Sequence, residues 1–315
     1  MASLFGGGGE LPGTTFFLPG AVVSSDRCHR RYPQRTHVVP ATVRGMQGEE
    51  PKPPDPNLAW WQEAAAIHAA SEFYDLDAVR RGRDQMRPYE IRELGVVAGC
   101  DLVHLQCHIG TDTVSWARRG ARVVGLDYSS NSLEVARELA KACDLPIEYV
   151  CSDVYDAPAA LAHRQFDVVY TGIGALNWLP DLKPWARVVS DLLRAGGHLY
   201  VSEIHPLVFG MADDGRSLVR DIIEATFESS DRVGGTYAEP DAQMVNRITD
   251  ERTHATSEVI TAVLEAGLVL ELFHEHRYSN APWPWTVRNE EGFHCLPPDW
   301  PQYPLAYSLR ARKVS

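Results

Sequence analysis

The residues with the clearest chemical potential sit where short apolar runs stop. LVHL at 102–105 leads into LQCHIGTDT at 105–113, a tight turn opening a helix. ARVVGLD at 121–127 ends on Asp127, IEYVC at 147–151 is followed by Ser152-Asp153-Val154, and DVVY at 167–170 by Thr171-Gly172. A carboxylate at Asp127 can accept both hydroxyls of a ribose. One at Asp153 can accept from an exocyclic adenine amine. Each Asp taken alone is equally a turn or helix-cap residue; the array is what describes a pocket for an adenosine.

Such an array needs strands to carry it and helices to separate them. Helical patterns span 58–73, near 76–94, 111–120, 132–143, 181–193 and 256–266, and further strands are expected at 197–203, 268–276 and 305–313. Strands alternating with helices mean βαβ units and a parallel sheet. The fold class is therefore α/β, and such sheets bind ligands at the carboxyl ends of their strands. Residues 277–304 form a Pro- and Trp-rich stretch with no period, and a loop of that length is usually functional.

Composition narrows the class. The chain has 315 residues, 30 Lys+Arg against 42 Asp+Glu, and a net charge of -12. The acidic balance argues against nucleic acid as a partner, and no run reaches the roughly 18 apolar residues of a membrane helix. The six cysteines form no CxxC pair, which fits a reducing, cytoplasmic setting. Residues 1–56 contain GGGG, an Arg cluster and PKPPDP without apolar periodicity, and are expected to be disordered or irregular. Met46 is an alternative start to Met1.

An adenosine pocket serves NAD or S-adenosylmethionine. NAD binding wants G-x-G-x-x-G so that the backbone can approach a pyrophosphate. This turn keeps only Gly110, with Gln106 and His108 in the other candidate glycine places. LQCHIGTDT, GARVVGLDYS, FDVVYTGIGALNWLPDL and LRAGGHLYVSEIHP together resemble a branch of the class I S-adenosylmethionine-dependent methyltransferases with a variant first motif, and the resemblance covers about 57–315. It implies a Rossmann-like, mainly parallel seven-stranded sheet with helices on both faces and an antiparallel last strand. It divides the chain into a helical lid at 57–97, a cofactor-binding core at 98–204, a substrate-side insert at 205–255 and a C-terminal part at 256–315. By the same resemblance, Gln106, Cys107 and His108 line the methionine end of S-adenosylmethionine and Gly110 lets the chain approach. Asp127 takes the ribose, Tyr128 flanks the adenine, Asp153 with Val154 holds the adenine edge, and Thr171 lies beside the sulfonium. Tyr74 is a lid contact or a core residue.

The expected acceptor is a small molecule, methylated on oxygen in preference to nitrogen. No Asp/Asn-Pro-Pro-aromatic motif follows the fourth strand, where the sequence is TGIGALNW. His254, just ahead of a helix, and His205, after the fifth strand, are the candidate bases. Trp178, Tyr237, Trp283 and Trp285 are candidate contacts for an aromatic substrate. No metal site is expected, and a homodimer is left open. The competing functions are a non-catalytic protein that holds the donor or S-adenosylhomocysteine, and an NAD-dependent oxidoreductase.

Overall fold

The computed structural model describes residues 55–224, 226–232 and 235–314. The expected irregular tail and the choice between Met1 and Met46 lie outside them. The described residues belong to one unit, Lys52–Ser315.

Among the described residues, three helices come first: α1 (Pro56–Ala70), α2 (Leu76–Arg80) and α3 (Pro88–Leu94). The core follows as β1 (Asp101–Leu105), α4 (Thr111–Arg118), β2 (Arg122–Asp127), α5 (Ser130–Ala142), β3 (Glu148–Cys151), α6 (Ala157–Ala160), β4 (Phe166–Thr171), α7 (Leu182–Leu192) and β5 (Leu193–Ile204). Then come α8 (Pro206–Gly210), β6 (Thr226–Asp231), β7 (Ile248–Thr253), α9 (Thr256–Glu265) and β8 (Leu268–His276). Three very short strands, β9 (Tyr278–Ser279), β10 (Val287–Arg288) and β11 (His294–Cys295), precede β12 (Ala306–Lys313).

The main sheet has seven strands in the order β3-β2-β1-β4-β5-β12-β8. β1 to β5 pair in parallel, while β12 runs antiparallel to both β5 and β8. The order reverses between β1 and β4, which makes the ends of these two strands the switch point where ligands bind. β1 is buried from Leu102 to Leu105, as a strand covered on both faces must be. The largest core cluster packs α7 and α9 against one face, through Trp185, Val189, Leu192, Val259 and Val263.

One expectation is corrected, and two stretches gain elements. The helix expected near 76–94 is two helices. Gly82 takes a left-handed φ of 110°, and Pro88 at the start of α3 disfavours helical backbone before it. The 205–255 stretch contains the antiparallel ribbon β6–β7. Its TFESSD and ITDERT lack alternation because most of this ribbon is not packed into a core, so periodicity could not reveal it. The 277–304 stretch is not structureless: β9, β10 and β11 form a small sheet.

The β6–β7 ribbon is tied to α1. Asn57 donates through Nδ2 to the Asp250 carbonyl at 2.7 Å, and its Oδ1 accepts from the Asp250 N–H at 2.8 Å. The Glu63 carboxylate accepts from the N–H groups of Val245 and Asn246. These bonds hold the stretch carrying Tyr237 over the face of α1.

Candidate active site

The turn after β1 keeps a glycine-like backbone without the glycines. Gln106, His108 and Gly110 have φ of 55°, 50° and 77°, all left-handed. For a non-glycine residue that conformation costs about 1–3 kcal/mol and persists only where its surroundings over-determine it. Here they do. The Gln106 Nε2 donates to the Ala175 carbonyl at 2.9 Å. The His108 N–H donates to Asp127 Oδ2 at 2.8 Å, and its ring meets His68 and Ser132. Gly110 cannot be replaced in the same way, because a Cβ would stand 2.6 Å from the Tyr149 hydroxyl. Cys107 buries its side chain among Leu133, Ala136 and Tyr149, leaving only its backbone for a ligand.

Asp127 ends β2 and is buried. Its Oδ1 accepts from the Ser129 N–H at 2.8 Å and its Oδ2 from the His108 N–H. A carboxylate offers about four lone-pair sites, so acceptor capacity remains beyond these backbone bonds. Burial pushes Asp127 up to about 6, while the N–H groups of Ser129, His108 and Tyr128 pull it down. Tyr128 follows it, half-buried. Asp153 is exposed and caps a short turn, accepting from the Tyr155 N–H at 2.9 Å, and its second oxygen is left over. Val154 turns its side chain into the main core, so only its backbone can face a ligand.

Over these strand ends lies a box of rings. Trp60 stacks on Trp178 with centroids 5.6 Å apart, and Arg232 lies against both, paired with Glu251. Trp61, His68, Tyr74, His108 and Tyr237 complete it, with the Tyr74 and Tyr237 hydroxyls 2.5 Å apart. Tyr74, Trp178 and Tyr237 are thus brought together. Trp283 and Trp285 are not. They stack on each other 6.1 Å apart in a separate cluster with Val208, Leu296 and Leu305, beside Phe209 and Tyr303.

A cleft beside the β5 end is lined by Leu176, Asn177, Glu203, Phe209, His254 and Tyr307 among others. The two expected bases are both committed. His254 places Nε2 2.8 Å from the Leu179 carbonyl and Nδ1 3.1 Å from Glu258. His205 caps α8, accepting from the Leu207 N–H at Nδ1, and meets Glu275 at Nε2. A free lone pair on either would require breaking these contacts.

Sequence reasoning missed three residues. Glu203 accepts four N–H bonds, from Gly174, Ala175, Leu176 and Ile204, and so fixes the loop after β4. Arg87, fully buried, holds Glu90 in α3 and the Tyr170 hydroxyl of β4. His68 has no exposed surface at all. The signal for Glu203 was an acidic residue inside the apolar run LYVSEI, and the signal for Arg87 was its place just before Pro88. For His68 the sequence carried only a histidine in an Ala-rich helix.

Buried polar atoms around the switch point and in the ring box over it that lack partners among the described residues include Trp60 Nε1, His68 Nε2, Gln106 Oε1, Thr171 Oγ1 and Asn177 Oδ1. Buried polar groups are nearly always paired, so this group marks a place where a polar ligand fits.

Comparison with known proteins names the ligand class. Residues 103–201 match the family model described as a methyltransferase domain. That stretch of the core is similar to a methyltransferase domain. Over 158 residues the chain is 29% identical to the ubiquinone biosynthesis O-methyltransferase of Photorhabdus laumondii, covering 49% of this chain and 65% of that protein. The match to the protein of the same name from Citrobacter koseri is 30% over 159 residues, again 49% and 65%. The chain thus spans just under two thirds of these relatives' length. The solved S-adenosylmethionine-dependent methyltransferase of Mesorhizobium loti shares the fold with a TM-score of 0.51 and 22% identity, over 75% of this chain and 99% of that one. All these matches agree on one class, methyltransferases, and the fold is the one that class uses with S-adenosylmethionine. Asp127 keeps acceptor capacity at the end of β2, and unpaired buried polar atoms stand near the β1/β4 switch point, a setting that suits a polar donor such as S-adenosylmethionine.

Proposed function

We propose that the chain transfers a methyl group from S-adenosylmethionine to a hydroxyl oxygen of a small, ring-bearing molecule. The observation that carries this is the set of unpaired buried polar atoms at the β1/β4 switch point, beside a buried Asp127 with free lone pairs. The donor supplies an electrophilic methyl group on a sulfonium. The chain's part is to orient donor and acceptor and exclude water. Asp127 receives the ribose hydroxyls, and Asp153 the adenine amine. The strand ends in 98–204 hold the donor, α1 covers it, and the ribbon of 205–255 closes the acceptor side. Trp178 and Tyr237 offer ring surface for a ring-bearing acceptor, with Trp60 packed behind Trp178. The preference for oxygen is supported by the names of the curated relatives and by the TGIGALNW sequence after β4.

Asp127→Ala is expected to weaken S-adenosylhomocysteine binding at least tenfold, about 1.4 kcal/mol. The ribose hydroxyls bind the ionised carboxylate, and Asp127 stands at about 6, above its ordinary value of 3.8. Wild-type affinity should therefore be full above pH 6 and fall below it, while Asp127→Asn should lose that dependence. Calorimetry at pH 5 and pH 8 checks both. The oxygen preference is tested by mass spectrometry of products from a matched panel of phenols, benzoic acids and anilines. Products methylated only on nitrogen would contradict it.

A further inference from the structure

Asn177 lies in the loop after β4, and the two ends of its amide are in different states. Nδ2 donates to Glu251 Oε2 of β7 at 3.1 Å, while Oδ1 is buried with no partner among the described residues. Chemistry fixes which end faces which way. The Glu251 carboxylate is paired with Arg232 and accepts from the Thr249 hydroxyl at 3.1 Å. A carboxylate so paired only accepts, so the amide NH2 must face it and the amide oxygen is the end left over. A buried acceptor left bare is costly unless something donates to it.

The loop is held from two sides. Gln106 in the turn after β1 donates to the Ala175 carbonyl at 2.9 Å, two residues before Asn177. Glu251 belongs to the β6–β7 ribbon, and the next residue along the loop, Trp178, stacks on Trp60 in the ring box. Asn177 therefore stands between the β1 turn, assigned above to the donor, and the ribbon, assigned above to the acceptor side. It also lines the cleft beside the β5 end, together with Glu203, Phe209, Thr253 and Tyr307.

The charges there select the acceptor. An amide oxygen accepts and cannot donate. The residues lining the cleft include the Glu203 carboxylate and neither lysine nor arginine. The Arg232 guanidinium is engaged by Glu251 and Thr249. An ionised carboxylate brought to Asn177 Oδ1 would meet a lone pair and find no counter-charge. A neutral hydroxyl would supply the missing hydrogen bond and keep its own lone pairs for the methyl group.

We propose that Asn177 Oδ1 accepts the hydrogen of the acceptor's hydroxyl, and that the group methylated is a neutral hydroxyl and not a carboxylate. Glu251, backed by Arg232, is a positioning residue: it holds the amide with its oxygen toward the substrate. The substrate oxygen attacks the methyl carbon through a lone pair as the carbon–sulfur bond breaks. That bond's electron pair stays on sulfur, leaving a neutral thioether. The hydroxyl proton then leaves to water, because an amide is too weak a base to keep it. This inference rests on the hydroxyl reading above.

The test uses the full chain with S-adenosylmethionine and three probe sets: phenols and benzyl alcohols, the matching thiols, and the matching benzoic acids. A thiol is only a weak donor; one that is not methylated is read as a competitive inhibitor. Asn177→Leu keeps the size of the side chain and removes its acceptor. It should lower kcat/KM for the hydroxyl probes about tenfold, change the thiols little, and leave S-adenosylhomocysteine binding intact by calorimetry. Equal loss on hydroxyls and thiols, or loss on neither, overturns the proposal. So does wild type that forms methyl esters from the acids as fast as ethers from the hydroxyls. Glu251→Gln, whose amide can turn either end to Asn177, should give a smaller loss with the same selectivity; an unselective loss contradicts its positioning role. If Asn177→Leu does not fold, Asn177→Ala is read in the same way. Wild type that binds S-adenosylhomocysteine but methylates no hydroxyl probe overturns the hydroxyl reading itself, and this inference with it.

Discussion

Arg87→Met should lower the free energy of unfolding by about 3–5 kcal/mol, the usual consequence of leaving a buried charge without its partner. Arg87 and Glu90 expose 1% and 0% of their side chains. The guanidinium donates through Nε to Glu90 Oε2 at 2.6 Å and through Nη2 to the Tyr170 hydroxyl at 3.0 Å, and lies 3.4 Å from Asp112. Tyr170 in turn donates to Glu90 Oε1 at 2.9 Å. The network clamps α3 to the sheet directly behind the β4 end. Met fills the space of the removed stem but leaves the Glu90 carboxylate buried without its counter-charge, held only by the Tyr170 hydroxyl and the residue-87 N–H. Arg87→Met/Glu90→Leu removes both charges and should recover most of the loss. Denaturant midpoints of the two variants check this. A single variant within about 1 kcal/mol of wild type would contradict the network's role.

Glu203→Gln should cost about 3 kcal/mol, since hydrogen bonds to a charged acceptor each contribute about 1.5–3 kcal/mol and an amide cannot accept them all. The Glu203 oxygens receive N–H groups of Gly174 at 2.5 Å, Ile204 at 2.7 Å, Leu176 at 2.9 Å and Ala175 at 3.0 Å. The substitution turns one of those oxygens into an amide nitrogen whose hydrogens face backbone donors. Burial pushes Glu203 up to about 7 from 4.5, against the pull of those N–H groups. A folded value above the ordinary one means that wild-type stability from this group falls as pH rises from about 4.5 to 7 and is flat beyond. The difference between wild type and variant is therefore smallest at pH 8, which makes that the stringent condition. A loss below about 1 kcal/mol there would show that the carboxylate does not organise the loop carrying Asn177 and Trp178.

The parallel sheet was legible because its evidence is local. Each core strand is a short apolar run, each helix has its own period, and Asp127 stands visibly at a strand end. What the sequence concealed depends on contacts between distant residues. His254 and His205 looked like free bases because nothing local shows Leu179, Glu258 or Glu275 beside them. Trp283 and Trp285 looked like site aromatics, but they close a separate cluster over α8. His68 and His108 are 40 residues apart and meet only once α1 folds over the β1 turn. Gln106 and His108 looked like damage to a glycine motif; their φ angles show the motif's backbone kept and its glycines replaced by side chains that hold it.

The most direct measurement is a calorimetric titration of S-adenosylhomocysteine into the wild-type chain at pH 8. The expected result is one site per chain with a dissociation constant in the micromolar range, about 8 kcal/mol of binding free energy. No binding to folded protein, up to millimolar ligand, would contradict the central claim and leave the chain with a methyltransferase fold that does not take the methyl donor.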